Sequence, residues 1–170
     1  GQIGDGTTTD RNIPVQISSM TDWKQIDIGY YHSIAVKNNG SLWCWGTNNS
    51  GEFGNGSISS SYTPIQIGST TNWKLIDAGG EYSTALKTDN TLWSWGKNFD
   101  GQLGNGTTNN SLSPIQIGTS MDWDKITASG RSSYAINSNF DLYSWGQYYS
   151  NSPTTISCST LSLSENISVS

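Results

Sequence analysis

Apolar residues along this chain come in short alternating bursts, not at helical spacing. In the first fifty residues, Val15–Ile17, Trp23–Ile28, Ser33–Val36 and Leu42–Trp45 are rich in β-branched, aromatic or aliphatic side chains. Clusters of Gly, Asn, Asp and Ser separate them, which is the pattern of strands joined by turns. Asn38-Asn39-Gly40 falls between the last two segments and suits a tight hairpin, because Asn and Gly tolerate the positive φ such turns demand. Ser138-Asn139-Phe140 is a looser match at the corresponding place. Pro14 heads its strand, where a missing N–H costs no ladder bond. A period of two places Trp43 and Trp45 on one face and Leu42, Cys44 and Gly46 on the other; it likewise separates Ser33 and Ala35 from Ile34 and Val36. With bulk on both faces, each sheet should lie between two others, and the small-residue strand Ser33–Val36 is expected nearest a shared axis.

The whole pattern recurs at an interval of fifty residues. Gly1-Gln2-Ile3-Gly4-Asp5-Gly6 returns as Gly51-Glu52-Phe53-Gly54-Asn55-Gly56 and again as Gly101-Gln102-Leu103-Gly104-Asn105-Gly106. Pro14, Pro64 and Pro114 keep the register, as do Trp23, Trp73 and Trp123, and Trp45, Trp95 and Trp145. The units are therefore 1–50, 51–100 and 101–150, each expected to be a four-stranded meander, followed by a polar tail over 151–170. Repeated sheets with two apolar faces bury themselves by stacking radially, so the predicted fold is all-β, a partial β-propeller of three four-stranded blades. A β-helix is the runner-up, but its coils repeat at a shorter period and need no hairpin in each unit.

The stretches Gly29-Tyr30-Tyr31-His32-Ser33-Ile34-Ala35-Val36, Asn39-Gly40-Ser41-Leu42-Trp43-Cys44-Trp45-Gly46 and Gly51-Glu52-Phe53-Gly54-Asn55-Gly56 resemble the repeat of the regulator of chromosome condensation family. The likeness covers residues 1–150. It implies blades of a seven-bladed ring, of which three are less than half. An open arc would leave two blade faces wet, so further blades of the same chain or self-association are expected. A sharply melting monomer of these residues would contradict that.

Composition removes several function classes. Of 170 residues, 33% are hydrophobic and 12% charged, with 19 Gly, 8 Trp and 8 Tyr, which suits a turn-rich β protein. The formal net charge is -5 and the eight Lys and Arg are scattered, which argues against a nucleic-acid partner. No run of 18 apolar residues occurs, so no membrane insertion is expected. The chain starts at Gly1 with neither a charged nor an apolar leader stretch, so any targeting segment is expected to be removed or to lie outside it. Cys44 and Cys158 form no CxxC pair, and no metal site is assigned. His32 is the sole histidine; Tyr82 and Ser132 stand in its place in the other units, so there is no repeated general base and no GxSxG elbow beside it. Asp5 with Asp10, Asp22 with Asp27 and Asp122 with Asp124 read as solvated turn and edge acids. The GxxGxG loops lead to a proline-headed strand, as Thr7-Thr8-Thr9 and Pro14 show, and not to a helix, so dinucleotide binding is set aside and no cofactor is expected. Their glycines are expected to serve tight turns between blades.

One place in the unit varies in an informative way. Tyr30-Tyr31-His32, Gly80-Glu81-Tyr82 and Gly130-Arg131-Ser132 enter the small-residue strand and should gather on one propeller face. Tyr30, Tyr31, His32, Glu81, Tyr82, Arg131 and Ser132 are the candidate binding residues; no catalytic residue is assigned. The expected function is a non-enzymatic binding or scaffold module recognising a protein or glycan, secreted or at the cell surface, with a cytoplasmic location as the alternative. The resemblance implies a second possibility, guanine-nucleotide exchange on a small GTPase. In the family that activity uses a hairpin insertion and particular acidic and His residues, whereas the uniform spacing here leaves no insertion. The family's chromatin contact through a basic tail also has no counterpart in this acidic chain. From Ser152 onward the chain reads as a Ser- and Thr-rich linker, and Leu161–Val169 resembles the lead-in to a type 9 secretion C-terminal sorting domain without its Pro-Asn-Pro hallmark.

Overall fold

A computed structural model describes residues 1–147 and 151–155. The first sheet contains β1 (Trp23–Ile28), β2 (His32–Lys37), β3 (Leu42–Gly46) and β4 (Ser61–Ile67). A second contains β5 (Trp73–Ala78), β6 (Tyr82–Lys87), β7 (Leu92–Gly96) and β8 (Ser111–Gln116). The third contains β9 (Trp123–Ser129), β10 (Ser132–Asn137), β11 (Leu142–Gly146) and β12 (Thr154–Thr155). Each is an antiparallel meander with its strands in chain order. The described residues contain no helix. The sequence-derived segment Leu161–Val169 lies outside them.

Two expectations need correction. First, the fourth strand of a sheet comes from the next sequence unit: Ile67 pairs with Leu42 and Ile65 with Cys44. Val15–Ile17, expected to open the first meander, pairs with no strand among the described residues. The tail, read as linker, contributes β12, where Thr155 faces Tyr143 and Thr154 faces Ser144. Second, the strand nearest the axis is the Trp-headed one, not Ser33–Val36. β1, β5 and β9 touch in series, and their ends line an axial cavity of about 470 Å³ with Asp27, Asp77, Thr127 and Gly130.

The small residues of the next strand serve a different purpose. Ser33, Ser83 and Ser133 each donate a hydroxyl hydrogen bond to a main-chain carbonyl, those of Gln2, Glu52 and Gln102, at 2.8, 2.9 and 2.9 Å. The same three carbonyls accept from the indole N–H of Trp45, Trp95 and Trp145 at 2.8, 2.8 and 2.9 Å. A carbonyl has two lone pairs, so one oxygen satisfies both donors. The GxxGxG loop leaving one blade is thereby fastened onto the next. Gly54 shows why glycine is required: its φ is 72°, and a Cβ there would lie 2.8 Å from Cδ1 of Trp95.

Between the first two sheets, Ile34, Val36, Leu42 and Cys44 pack against Trp73, Ile76, Ala85 and Trp95. Between the second and third, Leu86 and Leu92 meet Trp123, Ala135 and Trp145. The alternation thus gives each blade an aliphatic face and an indole face, and the two interlock. A buried amide anchors the loops that follow β3 and β7 from within. Asn48 donates to the carbonyls of Ser57 and Ser59 at 2.9 and 3.1 Å and accepts from Phe53 N at 2.8 Å; Asn98 repeats the set with Thr107, Asn109 and Leu103. The looser hairpin also closes: Phe140 N donates to Asn137 O at 3.0 Å, with Phe140 held at a φ of 65°.

Candidate binding face

The loops between the first and second strands of each blade meet near the axis and are tied by main-chain hydrogen bonds. Tyr30 N donates to Gly80 O at 2.9 Å, and Gly80 N donates to Gly130 O at 2.8 Å. The absence of side chains at Gly80 and Gly130 lets the Tyr30 ring lie across both loops. A Cβ on Gly80 would sit 2.7 Å from Cε2 of Tyr30, and one on Gly130 would sit 3.2 Å from its hydroxyl. Tyr31 stands edge-on to Tyr30, with centroids 6.3 Å apart and planes at 78°. One aromatic pair therefore spans the loops of three blades.

Charged groups flank this pair. Lys97 forms an ion pair with Glu81 and lies 5.7 Å from the centre of the Phe99 ring. Arg131 Nη1 reaches Asp100 Oδ2 at 3.4 Å, from the third blade to the second. Tyr30, Tyr31, Glu81, Lys97, Gln102 and Arg131 surround a cleft of about 120 Å³. Lys97, Phe99 and Asp100 were not among the sequence-derived candidates. Their signal was present, since residues 47, 97 and 147 differ as widely as 31, 81 and 131 do. Main-chain bonds from Thr47 to Tyr31, Lys97 to Glu81 and Gln147 to Arg131 place the two sets side by side.

Three candidates belong to the blade joints instead. His32 is buried, with Nε2 3.1 Å from Ser83 Oγ. Because the Ser83 hydroxyl proton goes to Glu52 O, Nε2 carries the imidazole proton and donates, which leaves buried Nδ1 without a partner. Burial pushes the His32 pKa down to about 4, so the ring is neutral near pH 7. Tyr82, at the equivalent place, is also buried; its hydroxyl donates to Ser132 O at 2.7 Å and lies 2.8 Å from Ser133 Oγ. Burial pushes that phenol pKa up. Ser132 therefore acts through its carbonyl within the joint. Tyr30, Tyr31, Glu81 and Arg131 remain on the face.

Acidic residues at the axis do a related job. Asp27 Oδ2 accepts from Ala78 N at 2.6 Å and Asp77 Oδ1 from Ala128 N at 2.9 Å. Burial raises the Asp77 pKa to about 7, with the nearby Asp27 carboxylate adding to the rise and the Ala128 N–H opposing it. Two of the acids read as solvated instead form ion pairs: Asp5 binds Arg11 at 2.5 Å and Asp22 binds Lys37 at 3.2 Å. No group of three or more potential metal ligands occurs among the described residues.

Radially stacked four-stranded antiparallel blades, each latched to the next by a glycine-rich loop, define a β-propeller repeat protein. Models of the regulator of chromosome condensation (RCC1) repeat match residues 1–36, 39–86 and 89–136, and a second such model matches 23–52 and 73–102. The chain belongs to the RCC1 repeat family. Human WBSCR16 is similar in structure, with a TM-score of 0.80 at 20% identity over 92% of this chain and 46% of that one. Prp20p from Saccharomyces cerevisiae, described with its binding to Gsp1p and histones, gives a TM-score of 0.73 at 20% identity over 84% of this chain and 40% of that one. The same yeast protein bound to Kap60 gives 0.72 at 20% identity, covering 84% and 38%. The chain thus spans less than half the length of these relatives.

Proposed function

We propose that the chain is a non-enzymatic protein-binding segment of a propeller, and that its partner sits on the face built by Tyr30, Tyr31, Glu81, Phe99 and Arg131. One observation carries the reading: three large aromatics on this single face, Tyr30, Tyr31 and Phe99, are 60%, 56% and 68% exposed. Exposed aromatics clustered beside an arginine have the composition of a binding hot spot. The cross-blade hydrogen bonds under Tyr30 hold the cluster in place before binding, which lowers the ordering cost of association. Similarity to a yeast protein described with protein partners is consistent with this use of the fold.

The test compares affinity capture from a source-cell extract by the wild-type protein and by a Tyr30→Ala, Tyr31→Ala, Phe99→Ala triple variant. A protein retained by the wild type and lost by the variant, with the circular dichroism of the two unchanged, is the expected result. Equal retention by both, or retention of free glycans in place of proteins, contradicts the assignment.

A further inference from the structure

The loops latched onto Trp95 and Trp145 share their main-chain bonds and differ in one buried side chain. Glu52 and Gln102 occupy the same place in the two loops and are 3% and 1% exposed. Each accepts one hydrogen bond inside its own turn: Glu52 Oε2 from Ser50 N at 2.8 Å, and Gln102 Oε1 from Asp100 N at 3.0 Å. What remains at the tip is a second carboxylate oxygen in Glu52 but an amide with two N–H donors in Gln102. That Nε2 makes no hydrogen bond among the described residues. Buried amide donors are ordinarily paired, so an idle one calls for an explanation. Gln102 borders the cleft of about 120 Å³ on the aromatic face, and with Oε1 engaged, Nε2 is the end left for it.

Other groups around the cleft are donors as well. The Arg131 side chain is 52% exposed and its guanidinium carries five N–H bonds, of which the structure engages only Nη1, at 3.4 Å from Asp100 Oδ2. The Tyr30 hydroxyl has no hydrogen-bond partner among the described residues. Lys97 is taken up by Glu81, the one carboxylate in the lining, and each neutralises the other. Three donor groups thus face a space that supplies them no acceptor. The missing component is an acceptor with negative charge.

We propose that the partner of this face anchors itself by an acidic side chain, Asp or Glu, which enters the cleft and accepts hydrogen bonds from Gln102 Nε2 and the Arg131 guanidinium. The inference rests on the protein-binding reading above and names the chemistry of its partner. A guanidinium and a carboxylate match in geometry, and a charged acceptor strengthens every bond it receives. Glu81 in the lining favours a singly charged carboxylate over a doubly charged phosphate. Tyr30, Tyr31 and Phe99 lie around the anchor, where apolar neighbours of the acid would pack and exclude water.

Titration of the 170-residue protein with short peptides, followed by nuclear magnetic resonance of side-chain N–H groups, tests it. The probes are acetylated, amidated Leu-Glu-Leu and Leu-Gln-Leu, with acetate as the free anion. Leu-Glu-Leu should shift the Gln102 Nε2 and Arg131 Nε signals saturably and bind at least fivefold more tightly than either other probe. Gln102→Glu copies the residue that the preceding loop already carries, and it should weaken Leu-Glu-Leu at least tenfold while leaving Leu-Gln-Leu within about twofold. Arg131→Gln replaces it if near-ultraviolet circular dichroism shows altered tryptophan packing. Equal binding of the two peptides overturns the acidic anchor while the protein-binding face stands. Acetate binding as tightly as Leu-Glu-Leu overturns it too, since the cleft would then take a free anion with no help from the aromatics. No shift with any probe also overturns it, and the extract capture by the aromatic triple variant then decides the broader reading by itself.

Discussion

His32 and Asp77 make the stability of the arc depend on pH in opposite directions, and one substitution should separate them. The native imidazole resists protonation until about pH 4, whereas the unfolded chain takes up the proton near its ordinary value of 6.5. Below pH 6.5 the unfolded state therefore binds more protons, and the His32 contribution, complete above 6.5, is lost as pH falls through 4. Two and a half pH units at about 1.36 kcal/mol each give roughly 3 kcal/mol. Asp77 runs the other way. Its carboxyl stays protonated to about pH 7 in the fold but ionises near 3.8 when unfolded, so its contribution is complete below 3.8 and is lost as pH rises through 7. The group is only partly buried, and solvent screening reduces its share to about 2 kcal/mol. Between pH 4 and 6.5 the two slopes largely cancel. Asp77→Asn removes one of them while its amide oxygen can still accept from Ala128 N. Melting of this variant should rise by about 6–12 °C from pH 4 to 6.5, at about 2–4 °C per kcal/mol for a chain of this size. His32→Gln added to Asp77→Asn should abolish that rise, with the other carboxylates common to both proteins. Thermal denaturation followed by circular dichroism reads the difference. Parallel pH profiles for the single and double variants would refute the assignment of a neutral, buried His32.

Three further substitutions probe the latches and turns. Asn48→Ala strips buried partners from Phe53 N and the Ser57 and Ser59 carbonyls and should cost about 3 kcal/mol in urea unfolding, while the exposed Asn12→Ala changes little. Gly54→Ala meets both a positive φ and the Trp95 ring, so it should cost at least about 2 kcal/mol more than Gly68→Ala, where the φ is also positive but no atom lies within 4 Å. Phe140→Gly relieves a left-handed phenylalanine at an exposed turn and should raise stability by about 1 kcal/mol, read as a higher urea midpoint.

The strand pattern was legible because every strand from β1 to β11 reports its own faces through alternation. The phase of the blades was not. A repeat of fifty fixes how often a sheet recurs but not where it begins, and the Pro-headed strand reads the same whichever neighbour it pairs with. Its partner is set by the loop carrying Gly51 to Gly56, which crosses to Trp95 before returning to the sheet it left. Small residues at Ser33 and Ala35 suggested crowding at an axis, when the crowding comes from a neighbouring loop and indole. The variation at His32 and Tyr82 drew attention as a surface signal, yet parity alone places His32 with Ile34 and Val36 on the face turned to the next blade. Tyr30, Tyr31, Glu81 and Arg131 precede the strands, where alternation gives no such instruction.

The returning loop also dictates how the arc can come apart. Since each loop crosses the neighbouring blade before its chain rejoins the sheet it left, no interior blade can be peeled away without first unclasping the one before it. Mechanical or chemical stress should therefore release neighbouring blades in succession, like a row of overlapping roof tiles, and not one interior blade alone.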